Sequence, residues 1–219
     1  MVKERIAETV INGEVEKGKD LAQQGLDQGY SPKELLDDGI LAGMEVVGEK
    51  FKNFEVYIPE VLQSASVMNE VMNILKPAMA QADEGEMGSK GVVVLGTVEG
   101  DMHDIGKNLV GLMLEGAGFK VIDIGIDQPA SKFVEAVEKE KPHVLGMSAL
   151  LTTTAPRIAE IEEELKKAGL RDKVKTMAGG AVIDQDFVDS NGVDAYGPSA
   201  TAAIEVTNQL VKEVENNAS

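Results

Sequence analysis

A length of 219 residues allows one large domain or two small ones, and 43% hydrophobic with 27% charged residues is the composition of a globular protein with a full core. The 38 acidic residues against 21 basic ones give a net charge of −17, which excludes nucleic-acid backbones and anionic membrane surfaces as partners and leaves proteins and small molecules. There is no cysteine, so disulfides, zinc–thiolate sites, iron–sulfur clusters and a cysteine nucleophile are excluded together, and with only two histidines, His103 and His143, a metal here needs most of its ligands from something other than His or Cys.

Met1 to Arg5 runs directly into a charged amphipathic pattern with no apolar signal core, and no segment approaches the roughly 18 unbroken apolar residues of a membrane span. The expected location is the cytoplasm. A first helix is predicted from Val2 to Asn12-Gly13 and a second from Glu14 to near Gly29. Ser31-Pro32-Lys33-Glu34 then offers an N-cap, a proline at the first helical position and a capping-box glutamate. The third helix that starts there carries Leu35, Ile40, Leu41, Met44, Val47 and Phe51. After Asn53 a fourth helix is predicted from about Pro59, with Val61, Leu62, Ala65, Met68, Met72 and Leu75 forming an apolar stripe. Four helices joined by short loops predict a small bundle, in which the methionines fill the core. Ala82–Lys90 (ADEGEMGSK) is polar, holds two glycines and reads as a linker. The domains expected are 1–88 and 89–219.

Beyond the linker the rhythm changes to strand–helix alternation. Strands are predicted at Val92–Gly96, Val121–Gly125, His143–Ser148, Lys175–Ala178 and Ala195–Tyr196. Helices are predicted at Lys107–Gly116, Ala130–Glu140, Pro156–Ala168, Asp184–Ser190 and Thr201–Val214. Unbroken apolar strands alternating with helices predict a doubly wound parallel sheet, here five strands in a flavodoxin-like (Rossmann-type) arrangement. Ligands of such sheets lie at the carboxyl ends of the strands, so the loops after Gly96, Ser148, Ala178 and Tyr196 are where a site is expected.

The loop after the first strand, Gly96 to Asn108, is neither a dinucleotide fingerprint nor a phosphate loop. It lacks G-x-G-x-x-G, five residues separate Gly100 from Gly106-Lys107, and Asn108 stands where Ser or Thr would be needed. A phospho-receiver would need an aspartate at the end of the third strand, and Ser148-Ala149-Leu150 has none. What the loop does hold is His103, with Asp101 two residues before it. A metal-binding imidazole needs its second nitrogen held, usually by a carboxylate, and Asp101 could do so. From this pair alone an exposed loop histidine and a metal ligand both stay open. His143, ahead of an apolar strand, reads as a strand-start residue, and Lys107 as a residue that caps or solvates the start of its helix.

Asp101-x-His103-x-x-Gly106, followed by Ser148-x-Leu150 and then by Gly179-Gly180, resembles the signature of cobalamin-binding domains, each element falling at a strand end. The run Gly100-Asp101-Met102-His103-Asp104-Ile105-Gly106-Lys107-Asn108 is similar to the motif of the cobalamin-binding region of methionine synthase. It is equally similar to that of the corrinoid proteins of methylamine and methanol methyltransferase systems. In the helical half, Gly43-Met44-x-x-Val47-Gly48-x-x-Phe51 and Tyr57 to Ala65 resemble the cap domain of those proteins, so the resemblance covers nearly the whole chain. It implies a cap over 1–88 and a cobalamin-binding domain over 89–219. It also implies that His103 replaces the cofactor's own benzimidazole as the lower axial ligand of cobalt, with Asp101 as its hydrogen-bond partner. The third member of the relay is a hydroxyl, which falls at Thr154 where methionine synthase has serine; Thr152 and Thr153 are its neighbours. Gly100, Met102, Asp104, Ile105 and Gly106 would flank the cofactor. Ser148, Leu150, Thr152, Gly179, Gly180 and Ser199 match positions lining the slot for the displaced nucleotide tail. Tyr57 aligns with the aromatic that covers the upper corrin face, with a role as a loop anchor the alternative.

The function the resemblance implies is a methyl relay. Cobalt in its +1 state (cob(I)alamin) takes a methyl group from a donor on a substrate-specific methyltransferase. The methylated +3 form, methylcob(III)alamin, yields it on a second, acceptor methyltransferase to tetrahydrofolate or a thiol coenzyme. A reductive activation protein is a further implied partner; nucleic acid and membrane are not. With no room for a substrate domain, the chain reads as a non-autonomous carrier subunit, with Ala82–Lys90 as a hinge. The alternatives are the cobalamin subunit of a mutase, which would lack this helical cap, and a cobalamin-sensing regulator, which would need a basic DNA-binding segment.

Overall fold

The protein, a computed structural model, is described over residues 1–81 and 89–217; the linker expected at Ala82–Lys90 falls almost wholly outside the described residues. Two compact units are present, one built from Met1–Ser89 with Gly116–Gly118 and one from Lys90–Glu115 and Phe119–Ser219. Among the described residues no helix is long and apolar enough to cross a membrane.

The first unit is helical: α1 (Val2–Asn12), α2 (Val15–Asp27), α3 (Pro32–Leu35), α4 (Ala42–Lys52) and α5 (Ile58–Gln81). The start of α3 is the capping box expected from the sequence. Ser31 Oγ accepts from the Glu34 N–H at 3.2 Å, and Glu34 Oε2 accepts from the Ser31 N–H at 3.0 Å. The third predicted helix departs from expectation in its middle, where Leu36–Leu41 forms a π-helical turn between α3 and α4. Its cause is visible in the spacing. Leu35 and Ile40 are both buried although five positions apart, a separation that an α-helix would splay around its axis and a wider turn brings back to one face. From Ile40 the stripe resumes ordinary helical spacing through Met44 and Val47. The core of this unit joins Ile6, Val10, Leu21, Leu35, Ile40, Val67, Val71 and Leu75, and Met44, Met68 and Met72 fill it as the sequence implied.

The second unit is a parallel five-stranded sheet in the order β2-β1-β3-β4-β5, formed by β1 (Val92–Thr97), β2 (Lys120–Asp123), β3 (Val144–Ser148), β4 (Lys175–Gly179) and β5 (Ala195–Tyr196). Its helices are α6 (Ile105–Gly116), α7 (Ala130–Glu140), α8 (Pro156–Lys167), α9 (Gln185–Asn191) and α10 (Ala200–Asn217), with a short 3-10 turn at Arg171–Lys173. This is the predicted flavodoxin-like architecture. Val94, Leu145, Met147 and Ala178 face α7 and α8, and meet Phe133, Ile158 and Leu165 in a closed core. The alternate residues point the other way, and register fixes them in rows across the sheet: Leu95 beside Gly146 beside Met177, and one step up Thr97 beside Ser148 beside Gly179. The strand order reverses between β1 and β3, which opens a crevice at their carboxyl ends.

Candidate functional site

The loop after β1 and the loop after β3 meet at that crevice through one side chain. Asp101 is completely buried, and both of its carboxylate oxygens accept hydrogen bonds. Oδ1 takes the backbone N–H of His103 at 3.1 Å and lies 2.7 Å from His103 Nδ1; Oδ2 takes the N–H of Leu150 at 2.7 Å and the hydroxyl of Thr154 at 2.8 Å. Burial pushes the Asp101 carboxyl up. The bonds from Leu150, the His103 ring, Thr154 and the His103 backbone outweigh it and hold the group well below the usual carboxylate range. Asp101 is therefore ionised and can only accept, so Nδ1 of His103 must carry the proton. That fixes the tautomer and leaves Nε2 as the basic nitrogen, on a half-exposed side chain.

The loop that carries this pair is braced from below. Gly100, at φ +81, makes the turn that Cβ-bearing residues adopt with strain. Its N–H is held by Asp127 Oδ1 at 2.7 Å, and the Asp127 N–H returns to the Asp101 carbonyl at 3.1 Å. Thr97 Oγ1 donates to the His103 carbonyl at 3.0 Å. Lys107 departs from expectation. It does not solvate the helix start: its ammonium is buried, hydrogen-bonded to Asn108 Oδ1 at 2.8 Å and paired with Asp123 at the end of β2. His143 is a strand-start residue, its Nδ1 accepting from the Val92 N–H at 3.1 Å.

Beside His103 lies a cleft of about 780 Å³ between the sheet and the helices α6 and α10. Of the residues singled out in the sequence, Met102, His103, Asp104, Ile105, Gly106, Ser148, Leu150, Gly179, Gly180 and Ser199 line it. Asp101 and Thr154 stand behind His103, and Gly100 turns the loop below it. Thr152 is exposed in the turn after Leu151 and does not line the cleft. Tyr57 belongs to the first unit, where its side chain is exposed and its N–H is bonded to Glu60 Oε2 at 3.1 Å. Ser199 caps α10, its Oγ accepting from the Ala202 N–H at 3.2 Å. Gly180 sits at φ +135 with its backbone against the β3 loop; a Cβ there would lie 1.9 Å from the Ala149 carbonyl oxygen. At Gly106 a Cβ would meet nothing within 4 Å, so the missing side chain leaves open cleft.

The donor set decides what such a cleft can hold. Among the described residues no group of three His, Asp or Glu side chains converges to hold a metal ion, so a bare cation would find a single imidazole. A metal that brings its own equatorial ligands needs no more than that one nitrogen. Met102 and Ile105, both large and exposed, give the imidazole an apolar surround suited to a flat macrocycle. The residues present therefore fit a corrinoid, whose metal His103 is the residue that would hold.

Asp127, Thr97, Gly146 and Met177 take part in the site or its cleft without having been singled out in the sequence. The signal for Gly146 and Met177 was their place on β3 and β4; Asp127 and Thr97 carry none.

An anchored imidazole over a crevice at the switch point of a doubly wound sheet is an arrangement that can hold a large metal-bearing cofactor. Residues 91–206 match the family described as B12 binding domain, and residues 2–76 match a second family of the same description. The trimethylamine corrinoid protein 1 of Methanosarcina acetivorans is 45% identical over 197 residues, covering 90% of this chain and 91% of that protein. A corrinoid protein of Desulfitobacterium hafniense is 38% identical over 208 residues, covering 95% of this chain and 96% of that one. Among solved structures, a chain of the methanol:cobalamin methyltransferase complex of Methanosarcina barkeri superposes with a TM-score of 0.86 at 33% identity, covering 94% of this chain and 78% of that chain. The chain belongs to the B12-binding corrinoid proteins.

Proposed function

We propose that the chain is a methyl carrier: it accepts a methyl group from a substrate-specific methyltransferase and delivers it to a second one, with tetrahydrofolate or a thiol coenzyme as the final acceptor. The names of the similar proteins, trimethylamine and dimethylamine corrinoid proteins, favour a methylamine as the donor. The bound corrinoid supplies a cobalt centre that can take up and release a methyl group. The protein's own contribution is to hold, orient and shield.

The observation that carries this reading is the Asp101–His103 pair at the mouth of the cleft. His103 Nε2 is the nitrogen that would hold the cobalt. Asp101 holds the Nδ1 proton and so keeps Nε2 basic, and Thr154, 2.8 Å from Asp101 Oδ2, fixes the carboxylate in turn. Ser148, Leu150, Gly179, Gly180 and Ser199 then line the slot for the nucleotide tail. At Gly179 a Cβ would come within 2.7 Å of the Gly197 carbonyl, so backbone rather than side chain forms that wall and a ligand can approach it closely. Residues 1–88 act as a cap domain and 89–219 as the cofactor domain. A reductive activation protein is a third partner.

The test is anaerobic reconstitution with hydroxocobalamin, followed by gel filtration and absorption spectra of the wild type beside His103→Ala. The carrier reading requires cobalamin to co-elute with a histidine-ligated, base-off spectrum that the variant loses. Failure of the wild type to retain corrinoid, or identical spectra for the two, would remove the ligand assignment.

A further inference from the structure

The cleft changes character with depth. At its mouth are His103, Ser148 and Ser199, along with the backbone of Gly179 and Gly180. One row further in, the floor is Leu95, Gly146 and Met177, and the walls above it are Leu109 and Val110 of α6 and Ala203 of α10. None of these side chains carries a hydrogen-bonding group beyond the weakly accepting thioether of Met177. Their backbone groups are engaged as well: the floor residues in the sheet ladder, the wall residues in helices. Of the other residues lining the cleft, Lys107 is committed to Asp123 and Asn108, and Tyr196 packs against the core behind the sheet. Gly146 makes the depth available, because a Cβ there would stand 2.4 Å from Leu95 Cδ2.

We infer that this floor selects the base of the corrinoid's nucleotide tail, taking a benzimidazole and discriminating against a purine. The inference rests on the corrinoid reading above and names the class of corrinoid that the site takes. A benzimidazole reaches the floor with a carbon edge. A purine reaches it with an exocyclic amine or further ring nitrogens, which lose their water and find no partner. That places a purine cobamide about 30-fold weaker in affinity, the consequence of leaving one or two polar groups unpaired. Thr207 Oγ1, one turn beyond Ala203 on α10, is buried without a partner among the described residues, but it does not line the cleft and takes no part in the selection.

The experiment is an absorbance titration of the full chain with three probes: cobalamin, adeninyl cobamide, and cobinamide, which has no nucleotide. Cobalamin is expected to bind about 30-fold more tightly than adeninyl cobamide. In Met177→Gln, which brings an amide to the floor, the gap narrows. In Gly146→Ala, which fills the floor, cobalamin loses about tenfold in affinity and cobinamide is unaffected. Equal affinity for cobalamin and adeninyl cobamide overturns the inference, as does a Gly146→Ala loss shared by cobinamide. A preference for adeninyl cobamide that disappears in Thr207→Val overturns it too, and assigns recognition to that hydroxyl. If none of the three probes binds, the corrinoid reading itself fails; if all three bind equally, that reading stands and only the base selection is lost.

Discussion

On the side of the sheet covered by α7 and α8, Val94, Leu145, Met147 and Ala178 meet Phe133, Ile158 and Leu165, and every one of these side chains is buried. On the side covered by α6 and α10, the intervening residues of the same strands are Leu95, Gly146, Ser148, Met177 and Gly179, and they line a cleft. Both sides read as apolar strand, so hydropathy does not separate them. Volume does. A glycine in the middle of β3 and another at the end of β4 remove the side chains that would have met the helices, and the face that results can take a ligand. One face of the sheet supplies stability and the other gives it up for room.

Substitutions can test each face for the property it is said to lack. The largest expected effect is on the filled side. Phe133→Ala leaves a cavity in a closed core and should cost about 3–5 kcal/mol in chemical unfolding, while corrinoid uptake per folded molecule stays unchanged. A comparable loss of uptake would mean that the two faces are coupled.

Asp101→Asn comes next, because it replaces an acceptor of four donors with a group that must itself donate. A loss of about 1–3 kcal/mol is expected, together with loss of the histidine-ligated spectrum. An unchanged spectrum would show that His103 does not need its partner.

The two cleft glycines should then separate. Gly180→Ala meets the Ala149 carbonyl at 1.9 Å and should destabilise the fold. Gly106→Ala meets nothing and gains helix propensity, so stability should rise by about 0.5–1 kcal/mol while corrinoid affinity falls. Equal effects from the two substitutions would dissolve the distinction between a wall and a void.

The smallest effect concerns Glu162 on α8, a buried carboxyl behind the filled face with one oxygen unpartnered among the described residues. Burial pushes it up, and the opposing bonds from Thr176 and Arg171 do not fully offset this. The native state therefore holds this proton more tightly than the unfolded chain. Its contribution is most favourable below the ordinary value near 4.5 and declines as pH rises above it. Glu162→Gln should slightly flatten that part of the stability–pH curve; an unaltered slope would place the proton elsewhere.

Much of this architecture was legible in the sequence, for local reasons. The capping box at Ser31, the proline at the start of α8 and the apolar runs of β1 and β3 are signals carried within a few residues, and they fall where expected. The Asp101-x-His103 spacing was legible too, because the two side chains meet within one loop. The π turn at Leu36–Leu41 was not read, although the five-residue step from Leu35 to Ile40 encoded it: a lone irregular step is lost among helical spacings. Asp127 and Thr97 brace the loop across distances that nothing local marks, and nothing near Lys107, which reads as a cap or a solvated residue at the helix start, marks Asp123 sixteen residues on as its partner. The hollow over Gly146 was invisible for a different reason: a glycine inside a strand looks the same whether its neighbours close over it or leave it open.

The Asp101 carboxylate has one further consequence, for the order of events during folding. Its Oδ2 ties together residues about fifty positions apart, Asp101 with Leu150 and with Thr154. These bonds exist only after β1 and β3 have paired, a non-local contact that forms late relative to helices and turns. Before that moment the carboxylate that orients the imidazole is not itself held by Leu150 and Thr154. If His103 holds the corrinoid as proposed, a nascent or partly unfolded chain would lack the braced imidazole, and loading would report that the sheet is complete.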